Sequence, residues 1–188
     1  RDGRTLVAWC DKNSLTSLIL FDVGSDQRRE IVSGVPARFC AFSPDVKTVA
    51  LGDESTIILF DTETGEKNGS IGGELEAFID AAWSPDGKRL ATAAGSPKAD
   101  KPVGKGTAHA GTKIWNIGNN NAPVSSKAGP TLMVAWSPDG KYLASVGQEA
   151  KNIRSLVIKV TESTSGDEVF TSPPIPGPPG PFLAWAPD

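Results

Sequence analysis

The chain has one imidazole, His109, set in a run rich in glycine, proline and lysine, GSPKADKPVGKGTAHAG (95–111). With Lys98, Lys101 and Lys105 it makes a basic loop suited to holding an acidic ligand or a partner's carboxylates. The same run also reads as a solvated surface excursion, because lengthening a loop by about ten residues costs little closure entropy. Gly104-Lys105-Gly106-Thr107 lacks the Gly-x4-Gly-Lys-Ser/Thr spacing of a phosphate loop and has no helical pattern after it. A lone histidine excludes mechanisms that need two, and no Gly-x-Ser-x-Gly elbow offers it a nucleophile. Cys10 and Cys40 are too few for a disulfide framework or a structural zinc site, and Cys40 falls on a strand position occupied elsewhere by small apolar residues. Asp45, Asp86, Asp139 and Asp188 recur at intervals. Each is the acid of its own turn, so the set is expected to be structural rather than a carboxylate ring. The inventory predicts no catalytic residue, no cofactor and no metal.

Five tryptophans invite a stacking reading, but the placement of four points to a core, and Trp9, at a strand end, reads as rim or core. Phe42, Trp83, Trp136 and Trp185 fall at one position of a repeating unit, and Trp115 ends a β-branched run. Aromatics of an all-β chain belong in the core by default. The stretch SPPIPGPPGPF (172–182) holds six prolines in eleven residues. It reads as a polyproline ligand or as a stiff connector, and its place after an outer strand favours the connector. Arg28-Arg29 reads as a solvated edge device.

The elements that position these residues come from internal repetition. CAFSPDVKTVAL (40–51), AAWSPDGKRLAT (81–92), VAWSPDGKYLAS (134–145) and LAWAPD (183–188) match one another, their anchors lying 41, 53 and 49 residues apart. Within each unit an apolar run ends on an aromatic, and Ser-Pro-Asp-Gly reverses the chain. An alternating second strand follows. A β-branched third strand comes next: LTSLILFD (15–22), STIILFD (55–61), TKIWNI (112–117) and SLVIKV (155–160). A weak polar fourth strand completes the unit at its outer edge. Four strands in a period of forty to fifty residues predict one propeller blade per unit. The class is all-β, a β-propeller of four-stranded antiparallel blades, four in this chain. The units span about 1–36 plus 181–188, 37–77, 78–129 and 130–180.

With AWSPDGKRLATAAG…TKIWNI and the third-strand ends Phe21-Asp22, Phe60-Asp61 and Trp115-Asn116 on the page, the chain resembles the WD-repeat β-propeller family over nearly its whole length. That resemblance implies a non-enzymatic scaffold whose loops and central opening bind a protein or peptide. The alternative is an accessory propeller of a larger enzyme, a hydrolase or kinase, whose catalytic part lies outside this chain. The family's Gly-His pair, and the histidine of its Asp–His–Ser/Thr–Trp network, have no counterpart in these units. The last unit, with Lys159-Val160 at its third-strand end, reads as degenerate.

RDGRTLVAW at the start aligns on PDGKRLATA, and AWAPD at the end supplies a first strand. The termini are therefore expected to share one blade, the C-terminal strand lying beside Arg4–Trp9. Three assemblies fit: a closed four-bladed ring, a half-ring completed to eight blades by a second copy, or a piece of a longer propeller. A net charge of −3 argues against nucleic acid, and no apolar run is long enough for a membrane helix. The two cysteines are compatible with a reducing cytosol.

Overall fold

The computed structural model describes residues 5–12, 15–25, 27–53, 55–72, 77–95, 111–118, 123–125, 131–149, 152–176 and 183–186. These form antiparallel strands in four sheets that follow one another along the chain. The first sheet is β1 (Thr5–Lys12), β2 (Leu15–Asp22) and β3 (Gln27–Val35). The second is β4 (Phe39–Phe42), β5 (Thr48–Gly52), β6 (Thr56–Asp61) and β7 (Lys67–Gly72). The third is β8 (Phe78–Trp83), β9 (Arg89–Ala94), β10 (Gly111–Asn116) and β11 (Val124–Ser125). The fourth is β12 (Thr131–Trp136), β13 (Tyr142–Glu149), β14 (Asn152–Glu162) and β15 (Glu168–Thr171), with β16 (Ile175–Pro176) pairing β14 beyond β15.

Register puts the repeat anchors in one row across each sheet. Phe42, Val49 and Phe60 stand side by side in the second sheet, and Trp83, Leu90 and Trp115 in the third. Trp136, Leu143 and Thr161 make the same row in the fourth. The central aliphatic of each row, Val49, Leu90 or Leu143, is wholly buried, as expected of the middle of a two-faced sheet. The third strand of the last unit therefore ends on Thr161-Glu162, not on Lys159-Val160. There the aromatic is lost, but Glu162 keeps the place of Asp61. Gly65 N–H donates to the Asp61 carbonyl and Gly166 N–H to that of Glu162, each at 2.9 Å.

The core lies between sheets. Leu18, Ile31 and Val32 of the first meet Val49, Leu51 and Phe60 of the second. Ile57, Leu59 and Ile71 of the second meet Phe78, Trp83 and Leu90 of the third. Ala91, Ala93 and Ile114 of the third meet Val134, Trp136 and Leu143 of the fourth. This is face-to-face packing of consecutive twisted sheets, the arrangement of propeller blades. Cys40 packs in the first of these clusters, where burial pushes its thiol up; Cys10 is exposed.

Residues 183–186 lie in no ladder among the described residues, and the first sheet has three strands. The pairing expected beside Arg4–Trp9 is thus not among the observed ladders. Trp185 meets the fourth sheet, its indole N–H donating to the Ala135 carbonyl at 3.0 Å. Part of the proline-rich run extends the outer rim of that sheet, Ile175 and Pro176 pairing with Leu156 and Ser155.

Candidate interaction surface

The Ser-Pro-Asp turns are three copies of one device. Each serine hydroxyl donates to its aspartate: Ser43 to Asp45 at 2.6 Å, Ser84 to Asp86 at 2.5 Å and Ser137 to Asp139 at 2.7 Å. The same oxygens of Asp45, Asp86 and Asp139 accept the amides of Lys47, Lys88 and Lys141. The three serine hydroxyls also accept the amides of Thr48, Arg89 and Tyr142. These bonds, the serine's foremost, hold all three carboxyls below the usual carboxylate range. Asp45, Asp86 and Asp139 thus each bond within their own turn. Gly87 and Gly140 take positive φ of 70° and 69° there, whereas the second sheet places Val46 at φ 60°.

The indoles join the blades. Trp83 donates to the Ala41 carbonyl at 3.0 Å and Trp136 to that of Ala82 at 2.9 Å, just as Trp185 does to Ala135. Every tryptophan of the repeat position therefore ties its strand to the residue before the anchor of the preceding sheet. Phe42, the fourth anchor, has no N–H to give. Trp115 donates to Thr92 Oγ1 at 3.0 Å, the Trp–Thr part of the network that the family resemblance implied, here without a histidine.

Two arginines reinforce the junctions, and neither role is visible in the spacing of the sequence. The Arg89 guanidinium lies 4.6 Å over the Trp136 ring and donates to Ser163 Oγ and the Gly140 carbonyl, each at 3.0 Å. Arg29 donates to the Thr62 and Glu63 carbonyls of the next sheet, so it is a clamp rather than a solvated edge device; Arg28 is exposed. Asp80 was likewise unmarked by any motif. It sits on β8, mostly buried, and accepts the Val134 amide at 3.0 Å; burial pushes its carboxyl up, against that bond. The available signal was an acid at a repeat position where other units carry Phe39 and Met133.

Between the outer rims of the second and third sheets runs a groove of about 550 Å³. Leu59, Gly69 and Ile71 form its floor, and Trp115, Asn116 and Ile117 its wall. The loop with Lys98, Lys101, Lys105 and His109 lies outside the described residues, as does Asp188.

These sheets, rows and ties define a repeat protein of propeller blades. No family model matches the chain. Among curated proteins it is similar to WD repeat-containing protein SL1-17 of Schistosoma mansoni, 26% identical over 161 residues, 84% of this chain and 47% of the relative. It is also similar to WD repeat-containing protein 1 of Xenopus tropicalis, 31% identical over 114 residues, covering 56% of this chain and 16% of that protein. A third relative is the WD repeat-containing protein WDS homolog of Arabidopsis thaliana, 25% identical over 148 residues, with coverage of 76% and 26%. The chain thus spans half or less of the length of these relatives. Two solved structures share the fold at 18% identity. Hydrazine synthase of Kuenenia stuttgartiensis gives a TM-score of 0.69 over 93% of this chain and 47% of its own. TolB from Acinetobacter baumannii gives 0.62 over 89% and 40%. The likeness to WD-repeat proteins read from the turn and strand-end motifs is thus matched in three curated relatives.

Proposed function

We propose that the chain is a non-enzymatic interaction module, a WD-repeat-like array of blades that presents rim loops and grooves to a protein or peptide partner. The observation that carries this reading is the repeated tie between blades, in which Trp83, Trp136 and Trp185 each bond to the preceding sheet in the same way. Such ties fix neighbouring sheets relative to one another, and surfaces spanning two blades become preorganised for binding. Similarity to WD-repeat proteins supports the same reading by analogy. The units 1–36 plus 181–188, 37–77, 78–129 and 130–180 are the proposed blades, the terminal segments jointly completing one of them. The basic loop with Lys98, Lys101, Lys105 and His109 is a proposed contact site for acidic partners. Deleting 97–109 tests it: reduced capture of a partner identified with the intact chain is expected, and unchanged capture removes the loop from the reading. Solution mass tests assembly, a second copy completing an eight-bladed ring being the paired outcome.

A further inference from the structure

The groove between the second and third sheets is floored where β7 carries two glycines in six residues, Gly69 and Gly72. Neither is required by backbone conformation, since neither has positive φ. Neither is required by crowding: a Cβ at Gly69 meets the Leu59 side chain, nearest at Cδ1 at 3.5 Å, and one at Gly72 comes nearest to Thr56 Oγ1 at 3.5 Å, both ordinary contacts. Gly52 of the same sheet is the contrast, because a Cβ there lands 1.9 Å from the Phe39 ring. A glycine that the fold does not demand weakens a strand, and such residues mark places where another backbone or a ligand comes close. Next to Gly69 the ladder slips, from Leu59 opposite Gly69 to Phe60 opposite Lys67. That leaves Asn68 as an extra residue, a bulge that re-aims the strand beside the groove. Among the described residues β7 pairs with β6 alone, so its outer edge offers backbone donors and acceptors to another strand. The Trp115 N–H is already engaged by Thr92, and its half-buried ring contributes an apolar wall.

We propose that this groove takes an extended peptide, whose backbone continues the second sheet along β7 and whose aliphatic side chain sits over Leu59 in the space left at Gly69. The two halves of the site select this ligand together. A strand edge with no further partner among the described residues recognises backbone, whereas the notch over Leu59 beside that edge recognises one side chain of every second residue. The proposal rests on the reading of the chain as an interaction module and gives that module a place and a ligand chemistry.

The test starts by panning a phage-displayed library of random octapeptides on the full chain. The enriched peptide is then titrated into 15N-labelled protein. Shifts of the Asn68–Gly72 amides and the Trp115 indole are expected. Gly69→Val fills the notch with a better strand former, and is expected to weaken binding by about tenfold or more while leaving the melting temperature unchanged or higher. Gly69→Ala is expected to fall between the two. Equal binding by Gly69→Val, with shifts elsewhere, overturns the groove and leaves the interaction reading standing. A lowered melting temperature for Gly69→Val means that the chain's own residues occupy the notch, and also overturns the proposal. Failure to enrich any peptide overturns both the groove and the peptide-binding reading beneath it.

Discussion

Replacing Val46 by glycine is expected to stabilise the chain, although it removes a side chain. Three turns share one hydrogen-bonding scheme, and at the fourth position two of them have glycine, with φ of 70° at Gly87 and 69° at Gly140. The third forces a β-branched residue to φ 60°. The left-handed region costs an L-residue about 1–2 kcal/mol, with β-branched side chains at the upper end. Glycine gives back about 0.5–1 kcal/mol through the greater freedom of its unfolded chain. The difference leaves a net gain of about 1 kcal/mol, or about 2–4 °C in Tm for a domain of this size. Urea unfolding followed by tryptophan fluorescence measures it, with the slope unchanged between variants. The mirror substitution, Gly87→Val, isolates the dihedral cost. Among the described residues its Cβ meets Pro44 Cδ at 3.6 Å, an ordinary contact. It is expected to lose about 1–2 kcal/mol. Val46→Gly that leaves stability unchanged or lower, or a neutral Gly87→Val, would refute the claim that positive φ is the strain at this position.

Trp136→Ala is expected to cost about 3–5 kcal/mol, because it empties a buried core site and removes the tie to Ala82; a loss under about 1 kcal/mol in urea unfolding would mean that the indole is not core. Asp80→Asn keeps an acceptor for the Val134 amide and removes a charge that burial disfavours. A carboxyl raised in the fold favours the folded state most below its unfolded pKa, and that contribution fades as pH rises through the raised value. The variant is therefore expected to match the parent at low pH and to equal or exceed it at neutral pH, as read from urea midpoints across pH. Asp45, Asp86 and Asp139 shift the other way: their contribution is present above the ordinary carboxylate value and lost as pH falls through the lowered ones.

Periodicity made the sheets legible because each unit spells its own elements locally. The Ser-Pro-Asp turn, the aromatic before it and the β-branched run after it all act within about fifty residues of one another. The same locality explains why the turn aspartates were readable as structural. Contacts between units were not readable in this way. Arg29 reads as an edge charge in sequence and Arg89 as one residue of an alternating strand, and only the approach of the next sheet's turns gives each its carbonyl partners. The last unit shows a different limit. Its third strand runs eleven residues, from Asn152 to Glu162, so an alignment by apolar content placed its end two residues early. The Gly69 groove is hidden for a third reason. In sequence a glycine does not say whether the backbone, the neighbours or an absent side chain requires it.

The three junctions between the described sheets are not built alike, and the differences follow from the repeat anchor and from the size of the apolar residues beside it. Where Trp83 meets the second sheet, a broad apolar cluster and one indole bond suffice. Where Trp136 meets the third, small residues such as Ala91 and Ala93 leave less apolar surface, and directed bonds multiply: the Asp80–Val134 bond, the Thr112–Thr131 hydroxyl pair and the Arg89 clamp. Where Phe42 meets the first sheet there is no indole N–H, and its place as a tie is taken by Arg29 reaching forward to the Thr62 and Glu63 carbonyls. In an array where each unit touches only its neighbours, stability is the sum of such junctions rather than of one shared core. Polar ties thus compensate where apolar area or the indole is short. They also set the angle between sheets more narrowly than apolar contact alone, because a hydrogen bond is directional and burial is not. A groove spanning two blades keeps its width only if that angle is fixed. The indole bond between Trp83 and Ala41, at the junction that carries the Gly69 groove, is therefore part of what holds it open.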